Sequence, residues 1–340
     1  MRTAVVLTML LGCSAPATLS DLSLAEQRAD AGDVEGSLAA YRTAQTTCRS
    51  LRPAARAKTA CADALLGEAE LLERTGRTAQ AIPTYLAIPG RVIDDDATAA
   101  IAVYRAGELQ LRAGLVTDAW TALWRVVTNW PDEAPAGDAL RRLTEDGRKR
   151  DARALADQIA SLLTPLAATT VADNLLWSLA DLTEHELADP RAARSLYDRI
   201  PQEHPASGLR DDARWNAARI SRALGDPAGA VTRLRGLLAT REVAFGAGSY
   251  FSIWLDDAQL ELGKVLRDDL GDLPGAAAAF RKLAVDYPDS ILIDDAEYEL
   301  ALTLDKAGDH AGACRSVARL VKRTPDSKYI PRARELGCGS

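Results

Sequence analysis

Between Ile293 and Pro325 the apolar and small residues fall at helical spacing, stop, and resume. Ala296, Leu300 and Ala301 share one helical face, Gly308-Asp309 interrupts it, Ala313, Val317 and Leu320 take it up again, and Pro325 closes it. The spacing predicts helix, turn, helix, stop. Two helices this short cannot bury their own apolar faces, so the unit is stable only when stacked on copies of itself.

Taking the alanine that opens the first helix as position zero, this copy sets a grid. It asks for small or apolar residues at +4 and +5, Gly at +12, Ala at +17, apolar residues at +21 and +24, and Pro near +29. Ala102 satisfies it through Ala106, Gly107, Gly114, Ala119, Leu123, Val126 and Pro131, and Ala213 through Ala217, Ala218, Gly225, Ala230, Leu234 and Leu237. Ala258 follows with one inserted residue and Ala62 with two; the copies opening at Ser20, Ala139 and Ala172 are looser, that at Ala139 being short and that at Ala172 long. A final Ala333 opens a helix with no partner, Pro331 to Leu336. The prediction is an all-α chain of about eight helix pairs with a C-terminal capping helix. Composition agrees: 47% of the 340 residues are hydrophobic but only 5% aromatic, an Ala/Leu core suited to closely crossing helices rather than sheets.

This grid resembles the tetratricopeptide repeat (TPR), a helix–turn–helix unit of 34 residues, over residues 20–338. The resemblance implies a right-handed α-solenoid with its first helices (A helices) lining the concave wall. The linkers narrow it: His204-Pro205-Ala206-Ser207 before Asp211-Asp212-Ala213, Pro288-Asp289-Ser290 before Asp294-Asp295-Ala296, and Pro325-Asp326-Ser327 before Ala333 share a Pro-x-Ser spacing. With Trp254-Leu255-Asp256-Asp257-Ala258, these look like the repeats of outer-membrane TPR lipoproteins, such as the lipoprotein subunit of the β-barrel assembly machine and the periplasmic TPR protein associated with the Tol–Pal system.

The N-terminus reads as a targeting segment. A basic Met1-Arg2-Thr3 precedes an apolar run from Ala4 to Leu11, too short for the roughly 30 Å core of a bilayer. Leu10-Leu11-Gly12-Cys13 resembles the bacterial lipoprotein signal. That implies removal of residues 1–12, acylation of Cys13, a short tether over 13–19 and, because Ser14 rather than Asp follows, a place on the periplasmic face of the outer membrane. An ordinary secretory signal cut near residues 16–20 is the other reading. The net charge of −7 disfavours nucleic acid, so attachment to a membrane is expected through lipid rather than basic patches. Setting Cys13 aside leaves Cys48, Cys61, Cys314 and Cys338, which allow three connectivities. The local pairs, 48 with 61 and 314 with 338, would staple the two ends of the array, against the alternative of four buried thiols.

Candidate chemistry is sparse. Only three histidines occur, none in an H-E-x-x-H helix; no C-x-x-C pair or Walker loop is present, and Gly246-Ala247-Gly248 lacks the rest of a dinucleotide fingerprint. The pairs Asp211-Asp212, Asp256-Asp257 and Asp294-Asp295 recur at one repeat position, where they oppose the positive end of a helix dipole. No metal, cofactor, catalytic residue or small-molecule substrate is expected. Positions +2 and +6 should face the wall of A helices: Tyr104 and Glu108, Trp215 and Arg219, Leu260 and Lys264, Tyr298 and Leu302. Such a rib suits an extended peptide or partner helix, unless these side chains only pack between neighbouring A helices. Phe245, Tyr250, Phe251 and Trp254 crowd into the longest step and predict either a docking loop or a seam between two sub-arrays near 241–254. The function expected is a non-enzymatic scaffold joining protein partners in the cell envelope. The alternatives are a chaperone-like receptor for outer-membrane proteins in transit, or an accessory subunit of an envelope enzyme or secretion system.

Overall fold

The computed structural model describes residues 17–50, 55–92, 94–240 and 252–338; the signal segment, Cys13, Phe245, Tyr250 and Phe251 lie outside them. Every described element is a helix. In chain order these are α1 (Ala17–Asp30), α2 (Val34–Ser50), α3 (Ala55–Arg74), α4 (Thr78–Ala87), α5 (Asp96–Arg112), α6 (Val116–Asn129), α7 (Ala134–Gly147), α8 (Ala152–Leu162) and α9 (Ala172–His185). They continue as α10 (Pro190–Glu203), α11 (Arg210–Ala223), α12 (Pro227–Leu238), α13 (Leu255–Asp268), α14 (Leu273–Asp286), α15 (Ile293–Lys306), α16 (His310–Arg323) and the short α17 (Ile330–Arg334). Among the described residues α1–α2, α3–α4, α5–α6, α9–α10, α11–α12, α13–α14 and α15–α16 pack as pairs, and α17 packs on α16. The all-α fold of tandem helix pairs expected from the sequence is the one observed. Among the described residues no helix is long and apolar enough to cross a membrane.

The chain divides into two compact units, residues 1–145 with 169–171 and residues 146–168 with 172–340. In the first, the core is built from Leu38, Tyr41, Leu72, Ala81, Tyr85 and Ile88, with Ala102 and Ala106 of the following pair. In the second, Leu234, Leu237, Ala258, Leu262, Phe280, Leu283, Ala296 and Leu300 form one continuous cluster. Each core thus runs from one pair into the next, as an α-solenoid requires. Small residues set how closely helices cross. A Cβ on Gly263 would lie 2.4 Å from the Phe280 ring, and one on Gly107 would lie 2.9 Å from Leu123, so +5 in these copies must be Gly.

Two local devices make the pairs. Within a pair, a left-handed residue ends the first helix, and an aspartate then caps the second. Gly225, Gly271 and Gly308 have φ of 74°, 68° and 83°, and Asp226, Asp272 and Asp309 accept the N–H of Gly229, Gly275 and Gly312. Gly32-Asp33-x-x-Gly36 does the same in the first pair. Between pairs, the C-cap residue takes one recurring backbone shape. Trp130, His204, Tyr287 and Thr324 have φ between −134° and −128° and ψ between 54° and 68°, each followed by Pro, whose ring bars its predecessor from continuing the helix.

Three sequence boundaries move. In the C-terminal copies the first helix begins three residues before the grid alanine, at Arg210, Leu255 and Ile293, because the acidic pair and the residue before it already belong to the first turn, and at Ile330, where Pro331 and Arg332 take the place of that pair. The capping helix is accordingly Ile330–Arg334, not 331–336. The copy assigned to Ala172 is out of register. Ser207 bonds Asp173 just as Ser290 bonds Asp256, which makes Leu175 its position zero and leaves the copy close to the usual length.

Candidate functional site

The recurrent acidic pairs do more than face a helix dipole. In the second unit the linker serine reaches back one repeat to the first aspartate of the preceding odd-numbered helix. Ser207 donates to Asp173 at 2.5 Å, Ser290 to Asp256 at 2.6 Å and Ser327 to Asp294 at 2.7 Å. The same hydroxyls accept the N–H two residues on, from Leu209, Leu292 and Tyr329. The other oxygen of each aspartate accepts the next residue's N–H, from Asn174, Asp257 and Asp295. Each carboxylate is therefore a tie between successive copies.

In two of the three pairs the second aspartate takes an aromatic donor. Asp212 accepts Trp254 Nε1–H at 2.7 Å, and Asp295 accepts the Tyr329 hydroxyl. Those donors are also half of two stacks. Trp215 lies on Trp254 with centroids 5.0 Å apart, and Tyr298 lies on Tyr329 at 4.6 Å, both nearly parallel. Position +2 of one copy thus meets position −4 of the next. In the copy between them the same two positions hold Leu260 and Leu292, aliphatic matched with aliphatic, both within one apolar cluster.

The wall residues read from the sequence fall into two groups. Trp215 and Tyr298 are half-buried in these stacks, and Leu260 is buried at 6% exposure. Two of the charged members, Glu108 and Arg219, bridge neighbouring odd-numbered helices. Glu108 accepts Arg142 Nε at 2.8 Å, and Arg219 pairs with Glu184. Arg267 pairs with Glu299 and Arg222 with Glu261 in the same manner, two bridges the sequence reading missed. Tyr104 is half-buried beside Glu108; burial first, then that carboxylate, raises its hydroxyl pKa. Lys264 is half-buried on α13, where it faces Asp257. Burial, then the adjacent Asp256 and more distant Asp295, hold Asp257 above the ordinary carboxylate range against the opposing pull of Lys264. Of the aromatic patch, only Trp254 is described, and it serves the stack.

The cysteines pair locally. Cys48–Cys61 joins α2 to α3 with Cα atoms 5.6 Å apart, and Cys314–Cys338 joins α16 to the segment after α17 at 5.2 Å.

Residues 257–290 and 295–327 match the family model described as Tetratricopeptide repeat, which are the copies built on α13–α14 and α15–α16. No curated protein matches the chain. Among solved structures it is similar to YrrB, a TPR protein with an unusual peptide-binding site, at 15% identity and a TM-score of 0.44 over 63% of this chain and 98% of that one. It is also similar to pilF of Pseudomonas aeruginosa, at 15% identity and 0.42 over 71% and 99% of the two chains. PilW, a type IV pilus biogenesis factor, gives 13% and 0.38 over 94% and 100%.

Proposed function

We propose that this chain is a non-catalytic adaptor of the bacterial cell envelope, anchored by lipid on Cys13 to the periplasmic face of the outer membrane, with a polypeptide partner held against its odd-numbered helices. The observation that carries the compartment is the pair of local disulfides, since cytosolic reductants keep such thiols open while exported proteins retain them closed. A short apolar leader ending in Leu10-Leu11-Gly12-Cys13 supports the anchor. The partner surface is supported by the cross-tied helices of the second unit. Stacks and an ion pair fix Trp215, Arg219 and Tyr298 on a braced surface, so little ordering cost remains when a partner binds.

Two measurements test this reading. Wild-type protein should fractionate with outer membranes and Cys13→Ala with the soluble periplasm; a variant that stays membrane-bound removes the anchor. A photoreactive residue replacing Lys264 on α13 should capture a polypeptide in cells, whereas one replacing the exposed Lys282 on α14 should not. Equal capture at both positions rules out the proposed surface.

A further inference from the structure

The Cys314–Cys338 bond closes beside a histidine. His310 opens α16 and lies one turn before Cys314, so the two share a helix face. His310 Nε2 is 3.6 Å from Cys314 Sγ, and Cys338 Sγ completes a group of three ligand atoms all within 4.8 Å of one another. Among the described residues this is the one place where three such ligands converge. The other ring nitrogen, Nδ1, is 2.9 Å from Asp305 Oδ1. A carboxylate there holds the proton on Nδ1 and leaves the Nε2 lone pair facing the sulfurs, the arrangement found behind metal-binding histidines.

We propose that opening this disulfide converts the C-terminal staple into a zinc site, with Cys314, Cys338 and His310 as ligands and Asp305 orienting the imidazole. A dithiol is the reductant: it gives up two electrons and two protons, becomes a cyclic disulfide, and leaves two thiols on the chain. Zinc(II) then displaces both thiol protons and binds two thiolates and Nε2. In a tetrahedral site with Zn–S about 2.3 Å and Zn–N about 2.0 Å, S···N spacing is about 3.5 Å and S···S about 3.8 Å. The observed Cys314–His310 spacing already satisfies the first. The second requires the two sulfurs only to move apart from bonding distance. Because His310 is exposed, the fourth position opens to solvent and is taken by water. Among the described residues the other pair, Cys48–Cys61, forms no such group with a histidine or carboxylate, so it is read as a staple alone. The inference is independent of the anchor and of the partner surface.

The probe is zinc(II) alone, titrated against a chromophoric chelator. The protein is the full chain with Cys13, Cys48 and Cys61 changed to Ser, reduced with a phosphine that is then removed. One equivalent should bind the reduced protein and none the oxidised. His310→Ala should lower the affinity at least tenfold, and Asp305→Asn by about 10- to 100-fold. Equal uptake by the oxidised and reduced forms overturns the proposal, as does unchanged affinity in His310→Ala. Should the triple variant not fold, cobalt(II) added to the reduced chain with its native cysteines decides the matter. A thiolate-to-cobalt charge-transfer band that disappears in Cys338→Ser and shifts in His310→Ala supports the site, and a band indifferent to both overturns it.

Discussion

A methyl group on Gly275 would stand 2.2 Å from Asp272 Oδ2, the carboxylate that caps α14. The second glycine of Gly-Asp-x-x-Gly is thus required by its neighbour's side chain and not by its own backbone, whereas the first glycine is required by a positive φ. Energetics follow from that difference. Asp272→Ala should cost about 1 kcal/mol through loss of the cap. Gly275→Ala in the native background gains helix propensity of about 1 kcal/mol but displaces the cap, so its net effect is small. In the Asp272→Ala background the same change should stabilise by about 1 kcal/mol. A double-mutant cycle in urea reads this as a coupling; strict additivity would mean the methyl and the carboxylate do not compete. Gly263 makes the same point at a helix crossing, where the competitor is an aromatic ring.

At the scale of the element, charge is used in two opposite ways. Burial drives Glu73 of α3 upward, but hydrogen bonds from Arg112 and Tyr85 and the charge of Arg105 outweigh it, and its carboxyl ends below the usual range. Its contribution to stability is present above the unfolded pKa of about 4.3 and is lost as pH falls through the lowered folded value. Asp257 of α13 runs the other way. Its pKa is raised, so the folded state holds the proton more tightly than the unfolded chain, and stability falls as pH climbs from about 3.9 through the folded value. Asp257→Asn should therefore raise the unfolding midpoint of the second unit at pH 7 and leave it unchanged near pH 3. A variant no more stable than wild type at pH 7 would contradict that sign. The sequence showed the recurrent aspartates and even their repeat position, but it gave no sign that Asp294 and Asp295 are divided between the Ser327 and Tyr329 hydroxyls of the next copy. That needs the register between copies, and register is where the reading slipped. The sequence itself favours Leu175 over Ala172, because Leu179, Ala180, Ala193, Tyr197, Ile200 and Pro205 then fall on the grid with one inserted residue, as in the Ala258 copy, and the Ser207–Asp173 bond agrees with that register. The helices, their Gly turns and their Pro stops were legible because each depends on local backbone conformation. The match of +2 to −4, Trp215 to Trp254 and Tyr298 to Tyr329, spans about 30 to 40 residues and becomes visible only when the copies are stacked.

For the molecule as a whole, each unit carries one staple. The bonds close loops with sequence separations of 13 and 24, which by loss of unfolded-chain entropy stabilise by about 3 kcal/mol each. Cys48→Ser should lower hydrogen-exchange protection in α2 and α3 while leaving α15 and α16 unchanged, and Cys314→Ser should do the reverse. Loss of protection in both units from either change would mean that the two unfold as one. The serine–aspartate ties add a further consequence. They join residues 33 or 34 positions apart, one copy to its immediate successor. A chain closed by such short-range ties needs no distant segment before it can begin to fold, so loop closure is a small barrier and folding is fast. In a chain exported from its N-terminus, a copy can lock as soon as the next linker serine has crossed the membrane, and the emerging protein is left with at most one unsatisfied repeat edge at a time.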